Sequence, residues 1–255
     1  MPRFELKIGC TPQELQAAQK LRFQVFNLEM KAGLASSYEK GLDQDEFDEL
    51  CEHIVIFDAD TSEVVGTYRM LLDARALNSR GFYSQKEFQL NRLLGLEGGK
   101  LEVGRSCIHK DYRRRSVLNL LWQGIARYAM QNHVRYIFGC ASVFSMDPKK
   151  ISELLGALKF LGYFRDLDIF PINRDHFLEI DERTEAANAL KIFDDLPALF
   201  KGYMNLGLKV CGYPSVDKEF RTTDFFILLD IKNMNPLYKQ RLFGNYLEED
   251  VVIAH

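Results

Sequence analysis

Apolar residues recur along this chain at two spacings, every third or fourth position in some stretches and every second position or continuously in others, and their alternation predicts a layered α/β fold. Thr11-Pro12-Gln13-Glu14 combines a capping box with proline at the first helical position. It predicts a helix to about residue 28, with Leu15, Ala18, Arg22 and Val25 on one face. Residues 53–58 and 64–72 read as strands joined by a turn at 59–62, and 101–108 reads as a third strand. A helix follows at 117–130, with Leu118, Leu121, Trp122, Ile125 and Ala129 at helical spacing. Residues 135–142 then read as a strand and 148–161 as a helix. Beyond Gly162 the pattern is weaker, with a helix at 196–206 and strands at 207–212 and 224–231. This order implies a mixed sheet with helices packed against it. The absence of repeats and Gly/Ser linkers leaves 1–255 as a single expected domain, with a core at about 6–165 and the segment 166–245 completing the sheet and adding helices.

Composition narrows the setting. A chain of 255 residues with 47% hydrophobic positions can close a core without disulfides. Its five cysteines are odd in number and never arranged as CxxC, so a reducing cytoplasm is expected. No early segment has the order of a signal peptide, and no apolar run approaches the roughly 20 residues that span a bilayer. The net charge of −3 hides an acidic stretch at 39–52 and a basic one at 109–115. Neither forms the extended basic stripe that suits a nucleic-acid duplex, so the basic cluster points to a compact acidic partner.

Among residues able to carry chemistry, Glu102 and Arg105 stand out because both interrupt an apolar strand. Simple alternation places Glu102, Gly104 and Ser106 on one face and Val103, Arg105 and Cys107 on the other. Structural pairing and catalysis both account for the two charges. Glu102 and Ser106 lie roughly 13 Å apart along an extended strand, which excludes a nucleophile and base pair. Cys107 and Cys140 read as structural, Trp122 and Tyr128 as core. His53, following the acidic stretch, reads as a partly exposed residue bonded to a nearby carboxylate. His53, His109 and His133 lack metal-ligand spacing, and 43–49 lacks the glycine of a calcium loop, so no metal is expected. The acidic stretch reads either as a rim that attracts a cationic amine or as a solvated loop. Lys110, Arg113, Arg114 and Arg115 enter a helix and read as an anion site or a solvated charge run.

Taken together, Arg22 with Val25 and Phe26, Asp45-Glu46-Phe47-Asp48, Val65-Gly66-Thr67-Tyr68-Arg69 and Glu102-Val103-Gly104-Arg105 resemble, in order and spacing, the signatures of acyl-homoserine-lactone synthases. Other pieces are similar instead to the ornithine-lipid N-acyltransferase family, whose members are often labelled haemolysins. These are Glu102-Val103-Gly104-Arg105-Ser106-Cys107-Ile108-His109, Phe138-Gly139-Cys140-Ala141-Ser142, residues 199–207, Asp217-Lys218-Glu219-Phe220 and residues 224–230. The resemblance covers about residues 6–245.

The resemblance implies a GCN5-related acetyltransferase (GNAT) fold, with a mixed, mostly antiparallel central sheet flanked by helices and a C-terminal extension. It implies a bacterial, cytoplasmic enzyme of lipid metabolism that moves a (3-hydroxy)fatty-acyl group from acyl carrier protein to an amino acid such as ornithine, giving a lyso-aminolipid. Acyl carrier protein is then both donor substrate and partner, with no bound cofactor. Peripheral membrane contact stays open because the product is a lipid. By the same resemblance Glu102 receives the amine proton, while Arg22, Phe26, Asp45, Asp48, Arg69, Arg105 and Ser142 form the substrate site. Lys110, Arg113, Arg114 and Arg115 then meet the carrier protein and its phosphopantetheine. Arginines replace the glycines usual in a GNAT phosphate loop, which favours the carrier protein over coenzyme A. Autoinducer synthesis, acetyl transfer from acetyl-CoA and a non-enzymatic haemolytic role are the competing readings.

Overall fold

A strand that the sequence reading passed over opens the chain: Phe4, Leu6 and Ile8 are half-buried while Glu5 and Lys7 face solvent, an alternation that makes β1 (Phe4–Ile8) the edge of a sheet. The structure is a computed structural model and describes residues 3–33, 35–113, 115–181, 188–218 and 220–247, with the backbone alone for 115 and 245–247. In chain order the elements continue as α1 (Pro12–Phe23), α2 (Ser37–Lys40), β2 (Glu52–Asp58), β3 (Val64–Leu72), α3 (Asp73–Leu77), α4 (Asn91–Leu94) and β4 (Gly99–Ile108). They are followed by α5 (Arg115–Gln131), β5 (Val134–Val143), α6 (Pro148–Phe160), β6 (Phe164–Arg165) and α7 (Ala189–Asp194). The remainder are α8 (Ala198–Leu206), β7 (Lys209–Cys211), β8 (Ser215–Asp217), β9 (Thr222–Asp230) and α9 (Pro236–Leu247).

Among the described residues, those up to Gly81, those from Gly99 to Val134 and those from Lys239 form one unit, and those in Phe82–Gly98 and Arg135–Tyr238 form another. In the first, β1, β2, β3 and β4 pair antiparallel in that order. Helix α5 covers the face that carries Leu6, Ile54 and Tyr68. Gly124 lets it approach closely, since a Cβ there would stand 3.0 Å from Ile54 Cδ1 and 3.1 Å from Leu6 Cδ1. Tyr68 meets Trp122 edge to face at 6.4 Å, which places Trp122 in the core as expected.

Helix α1 lies near the other face and has the expected N-terminus: Glu14 N donates to Thr11 Oγ1 at 3.3 Å and Thr11 N donates to Glu14 Oε2 at 2.8 Å. It does not continue regularly to residue 28, because Gln24–Glu29 forms a π-helical run in which Met30 N donates to Val25 O. The wider turn places Val25 against Cys107, with Phe26 packed alongside.

In the second unit β5 and β9 pair antiparallel from Tyr136 opposite Asp230 to Val143 opposite Thr223. β9 also pairs antiparallel with β7 and β8, while β6 and β7 are parallel. β9 is buried throughout. Phe138 stacks on Phe226 and meets Phe82 edge to face, forming an aromatic core beneath the pairing. The expected strand at 207–212 is confined to β7, β6 and β8 have no counterpart in the sequence reading, and α7 and α9 fall where it expects helices without placing them.

Candidate active site

Three elements of the first unit bring their charged side chains together: α1 supplies Arg22, the segment before β2 supplies Asp43, Asp45 and Asp48, and the β3–β4 pair supplies Arg69 and Arg105. The pairing explains why they converge. His53, Arg69 and Gly104 are Cα partners across β2, β3 and β4, and Leu71 is opposite Glu102, so His53, Arg69 and Glu102 leave the same face of the sheet. That face carries Thr67 and Cys107, the latter packed against Leu21 and Val25 of α1.

The expected alternation along β4 fails at Arg105. Thr67 is opposite Cys107 but Arg69 is opposite Gly104, so one extra residue bulges from β4, and Arg105 has a φ of 51°. The bulge returns Cys107 to the face of Glu102 and re-aims the Arg105 guanidinium at Asp43 and Asp45, each 3.7 Å away. Glu102 and Arg105 therefore do not serve opposite faces. A left-handed conformation at a residue with a side chain costs about 1–3 kcal/mol and marks the position as one held by its surroundings.

Arg22 is the centre of the cluster, 1% exposed. It donates from Nη1 to Asp48 Oδ1 at 2.9 Å and from Nη2 to Asp48 Oδ2 at 2.8 Å, a two-pronged pairing, and also reaches the Asp43 carbonyl. Its Nε lies 2.9 Å from Asp43 Oδ1. Arg69 Nη1 donates to Asp45 Oδ1 at 2.6 Å and to Asp48 Oδ1 at 3.2 Å. Gln19 and the Asp45 backbone N–H donate to Asp48 Oδ2. Burial alone would push the Asp48 carboxyl up, but the hydrogen bonds and charge of Arg22, with Arg69 behind them, hold it well below the usual carboxylate range. Both guanidiniums are held protonated against the cost of burial by these aspartates.

Phe26 and Phe47 complete the cluster as rings near its cations, Arg105 standing 5.9 Å from the Phe26 centroid and Arg69 5.8 Å from that of Phe47. The acidic stretch is thus neither rim nor solvated loop at its centre, because Asp43, Phe47 and Asp48 are buried. His53 is also buried rather than partly exposed. Its Nε2 lies 3.0 Å from the Asp48 backbone carbonyl instead of a carboxylate, and burial pushes its pKa down.

Glu102 is 5% exposed and lies close enough to Cys51 to act on it electrostatically, together with Arg69, Asp45 and Asp48. A carboxylate so placed can accept a proton from a bound amine while the fixed arginines keep the surrounding charge balanced. Cys51 and Cys107 are poor nucleophiles here, burial pushing both thiols to about 12.

The basic loop has a different character. Lys110 is exposed, and Arg113 forms a two-pronged ion pair with Glu29 at 2.5 and 2.6 Å. His109 accepts from Asp111 N within the same turn. Arg114 and the side chain of Arg115 lie outside the described residues.

Ser142 belongs to the second unit, opposite Asp224, to which it is hydrogen-bonded. Asp224 also bonds Thr222 and Glu87, and Glu87, Asp217 and Asp224 offer carboxylate oxygens within 4.8 Å of one another. Burial raises the Asp224 pKa. The sequence reading missed this group because its members are 130 and 7 residues apart along the chain (217 − 87 and 224 − 217); only Asp224, inside an apolar strand, carried a signal.

Comparison with known proteins places these findings. Residues 21–123, which contain the charged cluster, match the family model described as an acetyltransferase (GNAT) domain. The chain is 35% identical over 243 residues to an L-ornithine N(alpha)-acyltransferase of Rhizobium meliloti (strain 1021), covering 92% of this chain and 82% of the relative. It is 32% identical to a protein of the same name from Agrobacterium fabrum, covering 92% and 83%. Among solved structures, FeeM, an N-acyl amino acid synthase from uncultured soil microbes, matches with a TM-score of 0.50 at 13% identity, covering 94% of this chain and 98% of that one. The acyl-homoserine-lactone synthase LasI matches with a TM-score of 0.50 at 17% identity, covering 96% of both chains. These two likenesses concern the fold.

Proposed function

Since the chain belongs to the L-ornithine N(alpha)-acyltransferase family and is an N-acyltransferase on the GNAT fold, we propose that it moves a (3-hydroxy)fatty-acyl group from acyl carrier protein to the α-amine of an amino acid such as ornithine. The product is a lyso-aminolipid. The observation that carries this reading is the convergence of Arg22, Asp45, Asp48, Arg69 and Arg105 on the sheet face that holds Glu102.

An amino acid's α-amine is mostly protonated near neutral pH and cannot attack a thioester until a proton leaves. Glu102 takes that proton, directly or through water. The free amine attacks the thioester carbonyl, a C–N bond forms as the C–S bond breaks, and the carrier's thiol leaves carrying a proton. No acyl-enzyme is needed, in keeping with the high thiol pKa values of Cys51 and Cys107. Arg22, Arg69 and Asp48 brace the site, and Asp45, Arg105 and Phe26 border the substrate. Lys110, Arg113, Arg114 and Arg115 meet the carrier protein. Glu29 holds the Arg113 fork until an acidic carrier surface competes for it.

The test is incubation of the purified protein with 3-hydroxyacyl carrier protein and a panel of amino acids, following free thiol and identifying products by mass spectrometry. An N-acyl amino acid is the expected product. Reaction with acetyl-CoA but not with the carrier thioester would overturn the donor assignment, and a lactone formed from S-adenosylmethionine would overturn the acceptor assignment. In the same assay Glu102→Gln is expected to lower kcat by roughly 100-fold or more with an unchanged melting temperature; unchanged turnover would remove Glu102 from the proton path.

A further inference from the structure

The second unit holds a group of oxygen donors that the transfer reaction does not use. Glu87 follows the short turn Tyr83–Lys86, Asp217 ends β8, and Asp224 lies in β9. One carboxylate oxygen from each falls within 4.8 Å of the other two, while Asp224 is only 6% exposed. When all three are ionised, these acidic groups at a buried strand repel one another, and the Glu87–Asp224 hydrogen bond relieves that cost only while one of the pair holds a proton.

Ser215 adds an independent observation. It is 1% exposed, and among the described residues its hydroxyl has no hydrogen-bond partner. Ser215 is the Cα partner of Asp224 across β8 and β9, so the two side chains leave the same face as direct cross-strand neighbours. Asp217, two residues along β8, shares that face. A buried serine hydroxyl beside carboxylates would ordinarily donate to one of them. Without a partner among the described residues and placed in this row, it has its oxygen free for a ligand.

We propose that Glu87, Asp217, Asp224 and Ser215 form a site for a hard divalent cation of the calcium or magnesium class. Such ions take oxygen ligands at about 2.0–2.6 Å, so donors on opposite sides of the ion stand about 4–5 Å apart, and the 4.8 Å span of the carboxylates fits this requirement. The ion ties the segment after Tyr83–Lys86 to the β8–β9 pair and neutralises the acidic group. It is a structural site with no part in acyl transfer.

The test uses the full-length protein, stripped with chelator and desalted, followed by thermal unfolding and calorimetric titration with calcium, magnesium and manganese chlorides. At saturating ion the melting temperature is expected to rise by roughly 5 °C for at least one of the three. Asp217→Asn and Ser215→Ala, which remove a half-buried carboxylate and one hydroxyl, should lose most of that rise. Asp175→Asn, exposed in the same unit, should keep it. No rise with any ion, or a rise equal in all variants, would overturn the proposal. Stabilisation of the stripped protein by ornithine alone, lost in Asp217→Asn, would also overturn it and assign the cluster to an ammonium group.

Discussion

The two units each gather acidic side chains against a sheet, but with opposite company. In the first, Asp43, Asp45 and Asp48 meet Arg22, Arg69 and Arg105, so burial strengthens attraction between unlike charges and Asp48 stays ionised far into acid. In the second, Glu87, Asp217 and Asp224 meet one another, and burial raises the Asp224 pKa instead. The same residue type is thus an anchor in one place and a liability in the other. Low dielectric magnifies whichever interaction the neighbours supply.

Removing the central cation should break this contrast most severely. Arg22→Met leaves Asp43 and Asp48 buried with less compensation and is expected to cost about 3–5 kcal/mol in urea unfolding, enough to abolish folding of a marginal protein. Arg22→Lys should recover little of the loss, because an ammonium cannot reproduce the two-pronged contact with Asp48.

A pH series gives the next effect. The folded Asp48 pKa lies below its unfolded value, so its contribution is present above about pH 4 and is lost as pH falls through the folded pKa. His53 is also depressed, by burial, and its contribution is present above about pH 6.5 and is lost as pH falls. Wild-type stability should therefore decline from about pH 7 downward, with a further decline below about pH 4. Asp48→Asn should flatten the second decline while lowering stability at neutral pH. An unchanged acid limb would show that Asp48 is not the ionised anchor.

Neutralising an acid in the second unit should act in the opposite direction. In chelator, Asp217→Asn relieves repulsion and is expected to stabilise the protein by roughly 0.5 kcal/mol, measured by denaturant midpoint. Destabilisation under those conditions would mean that Asp217 is held by an attraction stronger than the repulsion. The smallest effect belongs to the exposed Arg113–Glu29 pair, where Arg113→Ala should change stability by at most about 1 kcal/mol. Under the proposed donor assignment it should nevertheless raise the KM for acyl carrier protein, and an unchanged KM would separate the loop from donor recognition.

Much of this arrangement was legible along the chain because it rests on local pattern. The capping box at Thr11, the strand at Val64–Leu72 and the helix around Trp122 follow from spacing and from residue preferences acting over a few neighbours. Glu102 and Arg105 could be singled out because a charge inside an apolar strand demands an explanation. The short edge strand β1 and the π-helical run after Phe23 escaped notice, the first because five residues carry little periodic signal, the second because its apolar positions also fit an ordinary helix.

What only tertiary structure decided was which way those charges face and whom they meet. A one-residue bulge at Arg105 overrides strand alternation, because the cost of an irregular backbone is offset by contacts with Asp43 and Asp45 from a distant segment. Likewise Glu87, Asp217 and Asp224 become neighbours only when β8 pairs with β9 and the segment after Tyr83–Lys86 folds beside them. Sequence by itself determined the longer elements and the charges that interrupt them, since those depend on local conformational energy; burial and charge pairing depend on contacts between distant segments, and these exist only in the folded chain.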